Sequence, residues 1–89
     1  MPQRTVAIAS KVGLHARPAS IFTQAVSASG VDVTIAKPGG APMDASSILM
    51  VMSMGVGNGE EVVLEAEGPE ADRVLDELVE LLETDLDAE

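Results

Sequence analysis

The sequence predicts an α+β fold, one sheet with helices on a single face, and three observations predict it. Segments with apolar residues at every second position alternate along the chain with segments whose apolar residues recur every three or four. Glycine and proline fall between these segments, where the chain must turn. The 89 residues, 46% of them hydrophobic, suffice for one sheet and one helical layer. A two-domain enzyme with a cleft between its halves is excluded, and residues 1–89 are expected to form one domain.

Each element has its own warrant. Thr5 to Ser10 sets Val6 and Ile8 among smaller residues, and Val31 to Lys37 alternates Val31, Val33 and Ile35 with Asp32, Thr34 and Ala36. Both read as half-buried strands. Between them, residues 16–29 place Ala19, Phe22, Ala25 and Val26 at helical steps, with Gly30 where a left-handed cap ends a helix. Pro38-Gly39-Gly40-Ala41-Pro42 marks a turn, which leaves Met43 to Ala45 room for a short edge strand.

Ser46 to Gly55 is apolar enough for a buried strand, but its leading serines and closing glycine match the two ends of a helix. A short helix is therefore expected there. Gly57-Asn58-Gly59 is a turn, and Glu61 to Glu67 is a third period-two strand. Gly68-Pro69 opens a last helix in which Ala71, Val74, Leu75, Leu78, Leu81 and Leu82 share one face while acids fill the other. The order is β-α-β-β-α-β-α.

Charge narrows the function. The net charge is −10, which disfavours a nucleic-acid partner, because phosphate backbones need clustered lysine and arginine. Residues 60–89 hold thirteen acidic side chains and one basic one, Arg73, whereas residues 1–59 carry a net +2. The acidity reads as the solvated face of the last helix. The chain has no cysteine, so disulfides and thiolate metal ligation are excluded. Its longest apolar run, Ile48 to Met52, is far below the roughly 18 residues of a membrane span. With no signal peptide at the start of the sequence, a cytoplasmic location without membrane insertion is expected.

The one histidine, His15, stands between the first strand and the first helix, directly before Ala16-Arg17-Pro18. That puts it at about the helix N-cap, and proline in the first turn agrees, since those amides have no intrahelical partner. Such an end offers backbone N–H groups, at Ala16 and Arg17 here, and roughly +0.5 of dipole charge. A phosphate suits it. Arg17 adds a guanidinium able to grip phosphate oxygens at two points. Gly13 lets the backbone turn sharply before the histidine and leaves the imidazole open to a partner.

A positive surrounding opposes a proton on an imidazole and favours a phosphoryl group on it. These residues suit a carrier that accepts and releases a phosphoryl group. They make no general acid/base pair, triad, Walker loop or multi-residue metal site, so neither metal nor cofactor is expected.

Gly13-Leu14-His15-Ala16-Arg17-Pro18-Ala19 resembles the active-site signature of the histidine-containing phosphocarrier (HPr) family of the bacterial phosphoenolpyruvate-dependent sugar phosphotransferase system. Ser47-Ile48-Leu49-Met50-Val51-Met52-Ser53-Met54-Gly55 is similar to the family's regulatory serine and second helix. Length and element order match from end to end.

The resemblance implies an open-faced β-sandwich, four antiparallel strands in the order 1-4-2-3 with three helices on one face. It implies that enzyme I passes a phosphoryl group to Nδ1 of His15, which hands it to enzyme IIA of a sugar transporter. The protein is then a carrier without turnover of its own, and a monomer. Arg17 would contact the transferring group and Pro18 would hold the helix start. Ser47 would be the regulatory phosphoserine, which brings in a serine kinase or a transcriptional regulator as partners. Ser20, Ile48, Leu49 and Met52 would form a docking patch near His15, with Val51 and Met54 turned to the core. The apolar run itself supports a patch, because a surface helix can bury only one stripe against its own sheet.

Two positions depart from the family: Ser46 stands where many members have lysine, and Met50 where some have glycine or lysine. Both bear on contacts to a serine kinase. A non-catalytic regulatory interaction module of the same fold is the alternative function, and intact His15 and Arg17 speak against it. A carrier of acyl groups, suggested by small size and acidity, fails on architecture, since such carriers are helical bundles.

Overall fold

In a computed structural model, residues 2–84 are described. The elements run β1 (Gln3–Ala7), α1 (Ala16–Ser29), β2 (Val33–Ala36), β3 (Met43–Asp44), α2 (Ile48–Ser53), β4 (Glu61–Ala66) and α3 (Ala71–Leu82). The four strands form one antiparallel sheet in the order β1-β4-β2-β3. The expected element order and fold class both hold.

Period two decides which side chains meet the helices. Val6, Val33, Ile35, Val62, Leu64 and Ala66 are buried, whereas Thr5, Thr34, Val63 and Glu65 on the alternate positions keep contact with solvent. Over the buried face lie Phe22 and Val26 of α1, Val51 of α2, and Val74, Leu75, Leu78 and Leu82 of α3. Phe22 is fully enclosed and pins α1 to the sheet; truncation of so large a core side chain costs about 3–5 kcal/mol. Arg4 shares the helix-side face of β1 and reaches out to α3, Nη2 donating to Asp72 at 3.1 Å and Nε to Asp76 at 3.0 Å. These bonds raise the Arg4 pKa, and with solvent on both sides they orient α3 more than they stabilise it.

The boundaries moved for identifiable reasons. The first strand was expected over Thr5–Ser10 and lies at Gln3–Ala7, because the backbone of residues 8–10 is taken up by other partners. Ala9 donates to the Leu82 carbonyl at 3.0 Å, and the Asn58 side chain binds the carbonyls of Ile8, Ala9 and Ser10. The second strand starts two residues late, since the Val31 amide caps onto Ser29 Oγ at 3.2 Å. It ends one residue early, where the Lys37 carbonyl accepts from Gly40 at 2.7 Å. Gly30 ends α1 with φ +71°, as its position predicted. In α2 the serine–glycine punctuation prevails over apolarity: Ser47 is the N-cap and Gly55, at φ +65°, follows the last turn.

Candidate functional site

His15 is the N-cap residue of α1, with extended backbone (φ −109°, ψ −171°), and its carbonyl receives the Ala19 amide at 2.8 Å. Its imidazole makes no capping bond and is exposed. The side chain therefore stays available for chemistry at the helix end. The first-turn positions are Ala16, Arg17 and Pro18; proline has no N–H, so Ala16 and Arg17 carry the amides that point out of this end. Ala16 and Arg17 are exposed, while Pro18 and Ala19 are buried and seat the turn on the core.

The approach to His15 is fixed by a second segment, the chain between α2 and β4. Gly13, at φ +74°, lies so close to it that an added Cβ would sit 2.3 Å from the Val56 carbonyl oxygen and 2.7 Å from Gly57 Cα. Only glycine fits there. The Leu14 amide donates to the Val56 carbonyl at 2.9 Å, and the Leu14 side chain is buried. Gly57 in turn donates to Glu60 Oε1 at 2.7 Å, which closes the turn on which Asn58 stands.

Helix α2 packs beside α1. Its Val51 is buried; Met54 is half-buried against the core. Ile48, Leu49 and Met50 are 37%, 79% and 42% exposed, and Val12, before Gly13, is 57% exposed. Met52 differs from Ile48 and Leu49, being half-buried and packed on the core, and Ser20 is half-buried on α1. Met50 and Val12 were not among the residues expected in the docking patch; the run of apolar side chains was the available signal for Met50, and Val12 had none.

Ser47 Oγ accepts from the Met50 amide at a long 3.4 Å. Next to it, Asp44 Oδ1 accepts from the Ser46 hydroxyl at 2.6 Å and from the Ser46 amide at 2.9 Å. Those two bonds, the hydroxyl first, hold the Asp44 carboxyl below its usual range.

Two surface hollows, of about 780 and 520 Å³, both include Gly30 and neither includes His15 or Arg17. Gly30 follows the far end of the 14-residue α1, roughly 20 Å from His15 at 1.5 Å per residue. Among the described residues, no group of three or more histidine and acidic side chains is placed to hold a metal ion. No helix among them is long and apolar enough to cross a membrane.

The family model of the PTS HPr component phosphorylation site matches residues 2–84. The chain belongs to the HPr family. The phosphocarrier protein HPr of Streptomyces coelicolor is 46% identical over 82 residues, 92% of this chain and 88% of that one. That of Haloferax volcanii is 40% identical over 83 residues, 92% of this chain and 93% of the relative. The crystal structure of HPr-C-His from Thermoanaerobacter tengcongensis superposes with a TM-score of 0.90 at 37% identity, covering 100% of this chain and 99% of that one. Family membership carries a phosphocarrier role in the phosphotransferase system.

Proposed function

We propose that His15 is the residue that carries the phosphoryl group, accepting it from phospho-enzyme I and delivering it to enzyme IIA. The observation that carries this reading is an exposed imidazole at the N-cap of a 14-residue helix, spared from capping. Nδ1 of the neutral ring attacks phosphorus with its lone pair while Nε2 keeps its proton, so the bond to the donor breaks as the new N–P bond forms. The adduct gains negative charge at the positive helix end, beside the amides of Ala16 and Arg17 and the Arg17 guanidinium. Transfer onward reverses these steps.

Docking is assigned to Ser20, Ile48, Leu49 and Met52, the last through whatever edge it leaves exposed. Ser47 is assigned as the regulatory phosphoserine of a kinase, and the chain as a cytoplasmic monomer folded as one domain. The test is incubation with enzyme I and labelled phosphoenolpyruvate. One acid-labile, base-stable phosphate per chain is expected, absent from His15→Ala. Arg17→Lys keeps the charge and loses the planar two-point grip, so it should slow transfer markedly at unchanged melting. Phosphate on the His15→Ala protein would end this reading.

A further inference from the structure

We infer that Asn58 is a positioning residue for phosphoryl acceptance at His15, an inference that rests on the function proposed above. Its Nδ2 lies 3.4 Å from the Ile8 carbonyl oxygen, 3.2 Å from that of Ala9 and 3.0 Å from that of Ser10. Successive carbonyls of a strand point to opposite sides, so three in a row can meet one nitrogen only where the chain curls out of the sheet. The amide has two hydrogens to share among the three oxygens. Asn58 thus ends β1 and sets the direction in which the chain leaves for His15.

Both ends of that path rest on the same segment, residues 56–60, while Ala9 between them is held by the Leu82 carbonyl at the end of α3. Ile8 donates to the Glu60 carbonyl at 3.0 Å and accepts from Gly59 at 2.8 Å. Gly13 donates to the Ser10 carbonyl at 3.0 Å, closing the turn, and Leu14 is bound to Val56. The Ser10 carbonyl is therefore shared between Asn58 and Gly13, which joins the clamp to the residue whose close packing precedes His15. Asn58 itself is exposed and is no part of the buried core. Its loss should disturb placement more than stability. Misplacement of about 1 Å at a reacting centre can cost on the order of 100-fold in rate.

The experiment compares the full-length protein with Asn58→Ala, Asn58→Asp and Val74→Ala, the last a truncation in the core beneath α3. Each is read as acceptor for enzyme I, by thermal melting, and by amide hydrogen exchange. In Asn58→Ala, exchange at Gly13 and Leu14 should accelerate about tenfold while Val62 and Leu64 hold, as expected for loss of about one hydrogen bond. Turnover should fall about five- to twentyfold with KM within twofold. Asn58→Asp should be slower still, because a carboxylate cannot donate and would face three carbonyl oxygens. Val74→Ala should lose more melting temperature yet keep its turnover. Unchanged exchange at Gly13 and Leu14, or a turnover loss no greater than that of Val74→Ala, overturns the inference. Phosphate on a residue other than His15 in the unsubstituted protein overturns the parent reading and this one with it, and the exchange data then still tell whether the clamp exists.

Discussion

The Leu14 amide donates to the Val56 carbonyl over 2.9 Å, across a sequence separation that places the two in different loops. The residue before His15 is thereby tied to the segment after α2, and Gly13 lies against that segment too closely for any side chain. Two loops, each unremarkable alone, form one support for the helix end.

Gly13→Ala is the sharpest probe of that support. It adds a left-handed backbone penalty of about 1–2 kcal/mol to a collision with Val56 and Gly57. Gly30→Ala, at nearly the same φ but with nothing within 4 Å of the added carbon, incurs the backbone penalty alone. Melting curves should show Gly13→Ala below Gly30→Ala by several degrees, at roughly 4–8 °C per kcal/mol for a domain of this size. Equal losses would mean that the loops yield freely and do not support each other.

Most of this arrangement was legible in the residues and part was not. Element order, the cap at Gly30 and the serine–glycine ends of α2 follow from local rules of backbone and capping, so they could be read directly. The place of His15 at a helix start followed from Pro18 in the same way. The limits of β1 did not, since Asn58 competes for the carbonyls of Ile8, Ala9 and Ser10 from about fifty residues away. Gly57-Asn58-Gly59 announced a turn, and no pattern in three residues reveals which strand the turn will touch. The exposure of Leu49 against the half-burial of Met52 likewise depends on how α2 is rotated on α1.

That rotation yields a second prediction. Leu49→Glu should raise the KM of enzyme I for this acceptor about tenfold, as for an interface anchor, while melting moves by no more than about 2–4 °C. Met52→Glu should lower melting more, because part of its side chain packs on the core and a carboxylate there loses water. If Leu49→Glu binds normally, the exposed face of α2 has no part in docking.

Asp44 gives a pH-dependent prediction. Its carboxyl is held below the usual range by the Ser46 hydroxyl and amide, so the folded protein favours the ionised form. A depressed carboxylate contributes stability above the unfolded pKa of about 4 and loses it as pH falls through the lower folded value. Asp44→Ala should therefore melt below the unsubstituted protein at pH 7, with the gap closing as pH drops below about 4. A gap that persists undiminished at pH 2 would assign the loss to packing and not to these bonds.

The last prediction concerns Ser47, which caps α2 through a 3.4 Å bond from Met50 and is followed directly by the exposed Ile48 and Leu49. Phosphoserine there would set about two negative charges beside the proposed docking face, in the less acidic stretch, residues 1–59, that also carries Lys11 and Arg17. An acidic partner surface drawn to those cations would be repelled, and association would slow most at low salt, where screening extends to about 30 Å at 0.01 M against 8 Å at 0.15 M. Ser47→Asp keeps an oxygen able to accept from Met50, so melting should hold or rise slightly. Ser47→Ala removes that oxygen; it should lose about 0.5–1 kcal/mol of stability and transfer phosphate at the normal rate at every salt concentration. Rates of acceptance from enzyme I measured across ionic strength separate the two effects. A defect in Ser47→Asp that shrinks as salt rises identifies charge as the cause; a normal rate throughout would leave Ser47 as a helix cap.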